Sequence, residues 1–485
     1  IINIIMSYSQ NQIPDMLRAG AVNSNPAQRI DTDVLDPVIA QDGVNGFIRF
    51  NLMNKGLLNP ASRITFSSKA VAHKAFYSMG VGIGSLISKS SLKIGGKTIC
   101  EVQDFPHYFG YKSSFVEQEV NKERESFMSA RSMANEVINE VPNASSLFVN
   151  STFIGIDSGR EPVVDYQTDP AVPTSNTDLL DQLHVDNLPV FSIRLDDLVP
   201  CLRNVMLPLY MLTEEVQIEL QLSGLSNDRL SFNGDFTTGP GTDPSSVNTP
   251  LDLTEIQMVA DYTFLSGDAM SKFQSNNSKL DYTFLEPRMT RTTLATQDDA
   301  NNQVRNIGGA GRFVNKVFAC ITSASMSSPI NSSGNSFTLL NSYRAIAPSE
   351  TGAVAGAFSQ LTTNIKKNDR FIYPIDRKSS ALHYHGVNDA EGAPIECTRA
   401  MYARQGKSLT PQKFEGHAVD VQLSGQYFYN AYRLNDGQRV NFRGLELHNK
   451  LPSMVATEYP LIQRVYIETQ KVMVIDNGIV NSYYR

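Results

Sequence analysis

Two histidines, His383 and His385, stand two residues apart. On a strand that spacing puts both imidazoles on one face, as a metal pair would need. No third ligand of matching spacing accompanies them, so structural or exposed histidines are the simpler reading. Asp196-Asp197 and Glu214-Glu215 are adjacent carboxylates. Paired acids serve glycoside hydrolysis only at a defined separation, which adjacency along the chain does not supply. Asp196-Asp197 fits better in the first turn of a short helix, where the dipole favours negative charge. Gly308-Gly309-Ala310-Gly311 sits between Arg305 and Arg312. A phosphate cradle needs a helix to follow, and none is patterned here, so the stretch reads as a flexible loop. No GxSxG elbow and no Walker A motif occurs. Tryptophan is absent, which removes the flat platform that sugar-binding sites favour and leaves tyrosine as its substitute. The sequence therefore assigns no catalytic residue, no cofactor-binding residue, no metal ligand and no cofactor. It points to a non-enzymatic chain that works through its surfaces.

The elements that carry these residues are mostly strands. Val216–Leu222 alternates strictly, with Val216, Ile218, Leu220 and Leu222 apolar, and so predicts a half-buried strand. Ile256, Met258, Ala260, Tyr262 and Phe264 repeat the pattern, as do Val419, Val421 and Leu423. Phe47–Leu52 and Ile64-Thr65-Phe66 are further strands. Leu92 to Ile99 predicts a hairpin with Gly95-Gly96 at the turn. Residues 465–475 predict a long strand, alternating first and then continuously apolar. Helices are few: an amphipathic one over 113–141, where no Gly or Pro interrupts, and short ones over 195–204 and 267–275. Residues 6–44 are polar and irregular and predict an arm or strap. The segments 155–187 and 223–250 predict long, functional or exposed loops.

At 485 residues the chain exceeds the roughly 250–300 residues that one core supports. Two domains are expected. A faint repeat agrees: 216–224 resembles 418–425, and Pro250-Leu251 and Pro460-Leu461 open alternating strands in the same order. Hydrophobic residues make up 41% of the chain, which excludes disorder, and charged residues only 19%, below the roughly 25% of ordinary soluble domains. Net charge is −7 and the longest basic run is Lys366-Lys367, so no duplex-binding stripe exists and no sequence-specific nucleic-acid binding is expected. No apolar stretch approaches the roughly 20 residues of a membrane helix. Residues 1–5 are apolar but too short for a signal peptide. Met6 before Ser7-Tyr8-Ser9-Gln10 reads as a natural start. Cys100, Cys201, Cys320 and Cys397 are spaced about 100 residues apart. That spacing suits buried free thiols rather than zinc ligands or a disulfide framework.

At 190–222 the residues acquire a family likeness. Val190-Phe191-Ser192-Ile193-Arg194 enters Leu195-Asp196-Asp197-Leu198-Val199-Pro200; Met206-Leu207-Pro208-Leu209 follows, and Val216-Gln217-Ile218-Glu219-Leu220 leaves. This resembles the double jelly-roll major capsid proteins of the adenovirus-like and giant-virus-like lineage. Gly56-Leu57-Leu58-Asn59-Pro60-Ala61-Ser62-Arg63-Ile64-Thr65-Phe66 resembles that family's early strand pair, and Val472-Met473-Val474-Ile475-Asp476-Asn477-Gly478 its closing strand. Chain length suits members from Polinton-like viruses and virophages. The resemblance implies an all-β fold of two tandem eight-stranded jelly rolls with a few short helices and long loops. Its layout would be an arm (1–45), a first jelly roll (46–266), a linker (267–279), a second jelly roll (280–475) and a tail (476–485). It implies a homotrimeric capsomer of pseudo-hexagonal outline, with neighbouring capsomers, penton and minor capsid proteins as partners. The location would be the virion, after assembly in the cytoplasm or nucleus of an infected cell. The competing readings are a two-domain β-sandwich that binds carbohydrate or a receptor, and a hydrolase on a β scaffold, which would show close, pKa-shifted carboxylates.

Overall fold

The structure, a computed structural model, describes residues 27–41, 46–69, 74–78, 84, 86–113, 153–157, 190–203, 205–223, 231–233, 252–295, 303–323, 362–374, 376–377, 386, 389–391, 430–434, 436–450 and 461–485. In chain order these hold β1 (Ala27–Leu35), β2 (Ile39–Ala40), β3 (Phe47–Leu52), β4 (Leu57–Leu58), β5 (Arg63–Lys69), β6 (Lys74–Ser78), β7 (Ile87–Ile94), β8 (Lys97–Gln103), α1 (Phe105–Ser113), β9 (Phe153–Asp157), β10 (Val190–Arg194), α2 (Leu195–Leu198), β11 (Leu207–Pro208), β12 (Val216–Leu222), β13 (Ser231–Asn233) and β14 (Asp252–Leu265). Then follow α3 (Gly267–Asn276), β15 (Lys279–Leu294), β16 (Gln303–Gly308), β17 (Val314–Ser323), β18 (Thr362–Lys367), β19 (Arg370–Phe371), β20 (Asn430–Arg433), β21 (Leu445–Lys450), β22 (Leu461–Asp476) and β23 (Ile479–Tyr484).

Among the described residues, strands before α3 pair only with one another, and so do strands after it. Sheet I runs β10-β5-β14-β4-β11, with β1 also on β14; sheet II runs β2-β3-β12-β7-β8; sheet III is β13-β6-β9. Sheet IV runs β15-β22-β17-β20, with β23 also on β22; sheet V runs β16-β21-β18-β19. Sheets I and II enclose Ile48, Phe50, Leu92, Ile94, Ile193, Ile218, Leu220 and Met258. Sheets IV and V enclose Val317, Ala319, Ile365, Leu445, Leu447, Val465 and Ile467.

The alternating segments form as their periodicity requires. In β12 the apolar set is buried and Gln221 is exposed, while Glu219 is buried and paired with Arg49 and Lys93, 2.8 and 2.6 Å away. The β7–β8 hairpin turns on Gly95 and Gly96, both at positive φ, which glycine adopts without a Cβ penalty. Helix α3 starts where Ser266 accepts the Ala269 N–H at 3.2 Å, an N-cap. Residues 195–204 hold α2 and a 3-10 turn over Pro200–Leu202.

Several segments differ from their expected form. Ala27–Leu35, expected within an irregular arm, pairs along its length with β14. Its period-two signal is diluted by Asp31 and Asp33, which serve ion pairs: Asp33 meets Lys55, and Arg29 meets Asp31. Residues 476–485, expected as a tail, begin with the end of β22, turn at Asn477-Gly478 and return as β23. The expected loops 155–187 and 223–250 contribute β-structure at 155–157 and Ser231–Asn233, flanking β6 on both sides. The rest of those loops lies outside the described residues, as do most of the helix expected over 113–141, the repeat segment 418–425 and the strand at Val419, Val421 and Leu423.

Candidate functional site

The most chemically dense place in the described structure is the seam where α1 lies on sheet IV. Strand β22 is buried at every position over 462–469. That burial requires cover on both faces of its sheet. Val465 and Ile467 face sheet V. On the opposite face Arg464, Tyr466 and Glu468 stand in register with Cys320, Phe318 and Lys316 of β17. Helix α1 covers that face. Phe318 stacks on Tyr111 at 3.9 Å between ring centroids and on Tyr466 at 4.8 Å, with Tyr108 against both.

The charges of the seam are interleaved. Lys112 of α1 is 2.6 Å from Glu468 and 3.6 Å from Glu391; Lys316 is 2.7 Å from Glu391 and 3.4 Å from Glu468. Two ammoniums and two carboxylates thus alternate in one cluster. Asp104, just before α1, bonds Arg464 and lies 2.6 Å from the His107 ring, while its carbonyl accepts the Tyr466 hydroxyl at 3.0 Å. Asp104 sits at φ +50°, unusual for a non-glycine residue and held here by the surrounding bonds. Burial alone would raise the Asp104 carboxyl, but Arg464 and His107 hold it far below the usual carboxylate range. Burial would likewise raise Glu391, yet Lys112 and Lys316 bring it down to about 2. Burial opposes the charge on Lys112, but Glu391 and then Glu468 raise its pKa. The shifts at Asp104, Glu391 and Lys112 all favour the charged form, which is the state of a fastener rather than of a proton-transfer group.

A second fastening lies at the β22–β23 turn. Glu214 accepts the Val480 N–H at 2.7 Å, and the Thr213 N–H and hydroxyl both donate to the Gly478 carbonyl at 3.0 Å. Lys97 donates to the Val480 carbonyl and the Asn481 side chain. Gly478 is at φ +84°, and a Cβ there would come within 2.8 Å of Thr213 and 2.9 Å of the Met211 carbonyl. Only glycine fits this approach. Apolar packing runs through the seam as well: Phe284, Phe318, Tyr466, Met473, Ile475 and Val480 share one cluster with the core of sheets I and II.

The adjacent carboxylates are accounted for by structure. Asp196 binds Arg194 through two bonds of 2.9 and 2.6 Å in the first turn of α2; Glu215 receives Gln217 at 3.0 Å and Asn51. Cys100, Cys201 and Cys320 are buried and unbridged. His383, His385 and Cys397 lie outside the described residues. Among the described residues no group of three or more His, Cys, Asp or Glu side chains is placed to hold a metal, and no helix is long and apolar enough to cross a membrane. The seam itself escapes a reading of periodicity. Helix α1 is built largely of Phe, Tyr, His and Gly, types that do not favour helix, and its partners lie as far as 360 residues away in the chain. The available signal was Arg464, Glu468 and Lys471 inside a long apolar strand, where charge needs a partner.

No family model and no curated protein sequence matches the chain. Among solved structures, VP54 of PBCV-1, fitted into a cryo-EM reconstruction of the virophage Sputnik, aligns with a TM-score of 0.52 at 13% identity, covering 96% of this chain and 98% of that one. The quasi-atomic model of the PBCV-1 virus capsid aligns with a TM-score of 0.51 at 12% identity over the same shares. The mavirus major capsid protein aligns at 0.45 and 11% identity, over 98% and 95%. The chain has the all-β, double jelly-roll fold of the PBCV-1 capsid structures along nearly its whole length.

Proposed function

We propose that the chain is a major capsid protein that assembles as a homotrimeric, pseudo-hexagonal capsomer. The observation that carries this reading is the pairing of two β-sandwiches within one chain, locked through a buried seam, in the fold of the PBCV-1 capsid structures. Two similar units per chain give six around a threefold axis, and six-neighbour units tile a closed shell. The units would be a first jelly roll over 46–266 and a second over 280–475, with 267–279 as linker. A tile of this kind must not hinge between its halves, and interleaved buried charges with continuous apolar packing supply that rigidity. The partners would be two further copies, neighbouring capsomers, and penton and minor capsid proteins. The setting would be the virion, after assembly in the cytoplasm or nucleus of an infected cell. Native mass spectrometry of the purified chain, with electron microscopy of the same sample, tests the reading. The expected result is a particle of three times 53.6 kDa with a hexagonal outline. A chain that stays monomeric at high concentration overturns it.

A further inference from the structure

Beside the seam lies a cleft of about 450 Å³, walled by β8, β15, β22, β23 and the β16–β17 turn. Tyr484 is part of its lining. The Arg312 guanidinium lies 3.7 Å from that ring's centroid, Arg288 lies 5.4 Å away, and the Lys471 ammonium 5.2 Å. Three cations therefore converge on one aromatic ring.

Their counter-charges are unevenly shared. Lys471 is satisfied by Glu286 at 2.9 Å and the Ile99 carbonyl at 2.6 Å. Glu286 also accepts the Tyr484 hydroxyl. Glu101, at the cleft wall, is taken by Lys89 at 2.7 Å. Both carboxylates of the cleft are thus committed, and among the described residues Arg288 and Arg312 have no carboxylate partner. Burial and then the neighbouring Arg288 charge depress the Arg312 pKa, and Tyr484 and Glu286 offset them only in part. Arg288 is exposed and Arg312 half-buried, so both are reachable from water. Gly308, Gly309 and Gly311 take positive φ in the turn above, and a Cβ on Gly308 would meet nothing within 4 Å. The turn therefore leaves open space at the cleft mouth.

Two guanidiniums without an ion pair among the described residues, beside an open cleft, suit a doubly charged oxyanion, because the planar fork of Arg binds phosphate and carboxylate oxygens in pairs. We propose that Arg288 and Arg312, backed by Tyr484, form an oxyanion-binding site that takes a phosphate or a dicarboxylate. The inference is independent of the assembly reading, since a monomer would carry the site equally.

The test is calorimetric titration of the full chain with inorganic phosphate and, separately, with succinate, at ionic strength held constant with sodium chloride. The expected result is saturable binding of at least one, weakened at least tenfold in R288Q/R312Q and several-fold in R288Q alone. The exposed position of Arg288 keeps the single variant folded, which circular dichroism verifies. Which probe saturates the site says whether its occupant is tetrahedral or carboxylate. No saturable binding of either probe, or unchanged binding in R288Q and R288Q/R312Q, overturns the proposal.

Discussion

The core around Phe50, Leu92, Ile218 and Leu220 is apolar on both of the sheets that form it. The face of β17 and β22 that meets α1 carries Lys316, Arg464 and Glu468 between its aromatic rings. Both places exclude water, but they are stabilised differently. The apolar core gains from area removed from water and tolerates small shifts. The seam gains from fixed pairings, and a partner removed there leaves a charge buried without compensation. The first arrangement builds a sandwich; the second fixes how two sandwiches sit against each other. The β22–β23 turn repeats the lesson on a smaller scale, since the Gly478 carbonyl, bonded by Thr213, and the Glu214 carboxylate, bonded by the Val480 N–H, hold the turn at one register.

Breaking the core should have the largest effect. Leu220→Asp puts a charge among apolar side chains with no partner in reach, and should cost more than about 4 kcal/mol in chemical denaturation, leaving little folded protein. Normal folding of this variant would show that the β12 register is not as described.

Breaking the seam should cost somewhat less and look different. Arg464→Ala leaves Asp104, a largely covered carboxylate, without its main partner and should cost about 3 kcal/mol. Because the two cores stay intact, its calorimetric unfolding should split into two transitions, whereas that of Leu220→Asp should not. A single transition in Arg464→Ala would remove the distinction drawn between core and seam. Gly478→Ala should cost about 1–3 kcal/mol, through a strained φ and the approach of Thr213.

Acid sharpens the comparison further. The Glu391 carboxyl is depressed when folded, so its contribution is complete above its ordinary value of 4.5 and is lost as pH falls toward about 2. Asp104 acts in the same direction. Stability should therefore fall over that window, and Glu391→Gln, already lacking the charge, should show a flatter profile in urea titrations at each pH. Ser266→Ala, which removes a cap remote from both regions, should cost only about 1 kcal/mol and leave the number of transitions unchanged.

Most of the strand framework was legible in the sequence because period-two alternation reports directly on which face meets a core. β3, β12, β14 and the glycine hairpin between β7 and β8 stand where their residues predict. Burial of the three described cysteines was legible for a similar reason, since thiols without close partners pack as small apolar groups. Others were not, β1 and α1 among them. β1 carries Asp31 and Asp33 where an apolar face would be expected, and Lys55 and Arg29, far from them or on the same strand, make those charges tolerable. α1 is written in aromatic residues with Pro, His and Gly, types that do not favour helix, and is helical because it fills the space over sheet IV.

By itself the sequence determined an all-β chain too long for one core, with many of its strands in place and no catalytic motif, since those properties depend on local pattern and composition. Only the tertiary structure decided where the charges inside β22 find partners. Asp104 and Arg464 are 360 residues apart, and no local period encodes a pairing at that distance. The same holds for the Arg288, Arg312 and Tyr484 cleft: three separate strands and turns bring its charges together, and their surplus exists only once Glu286 and Glu101 have been taken by others.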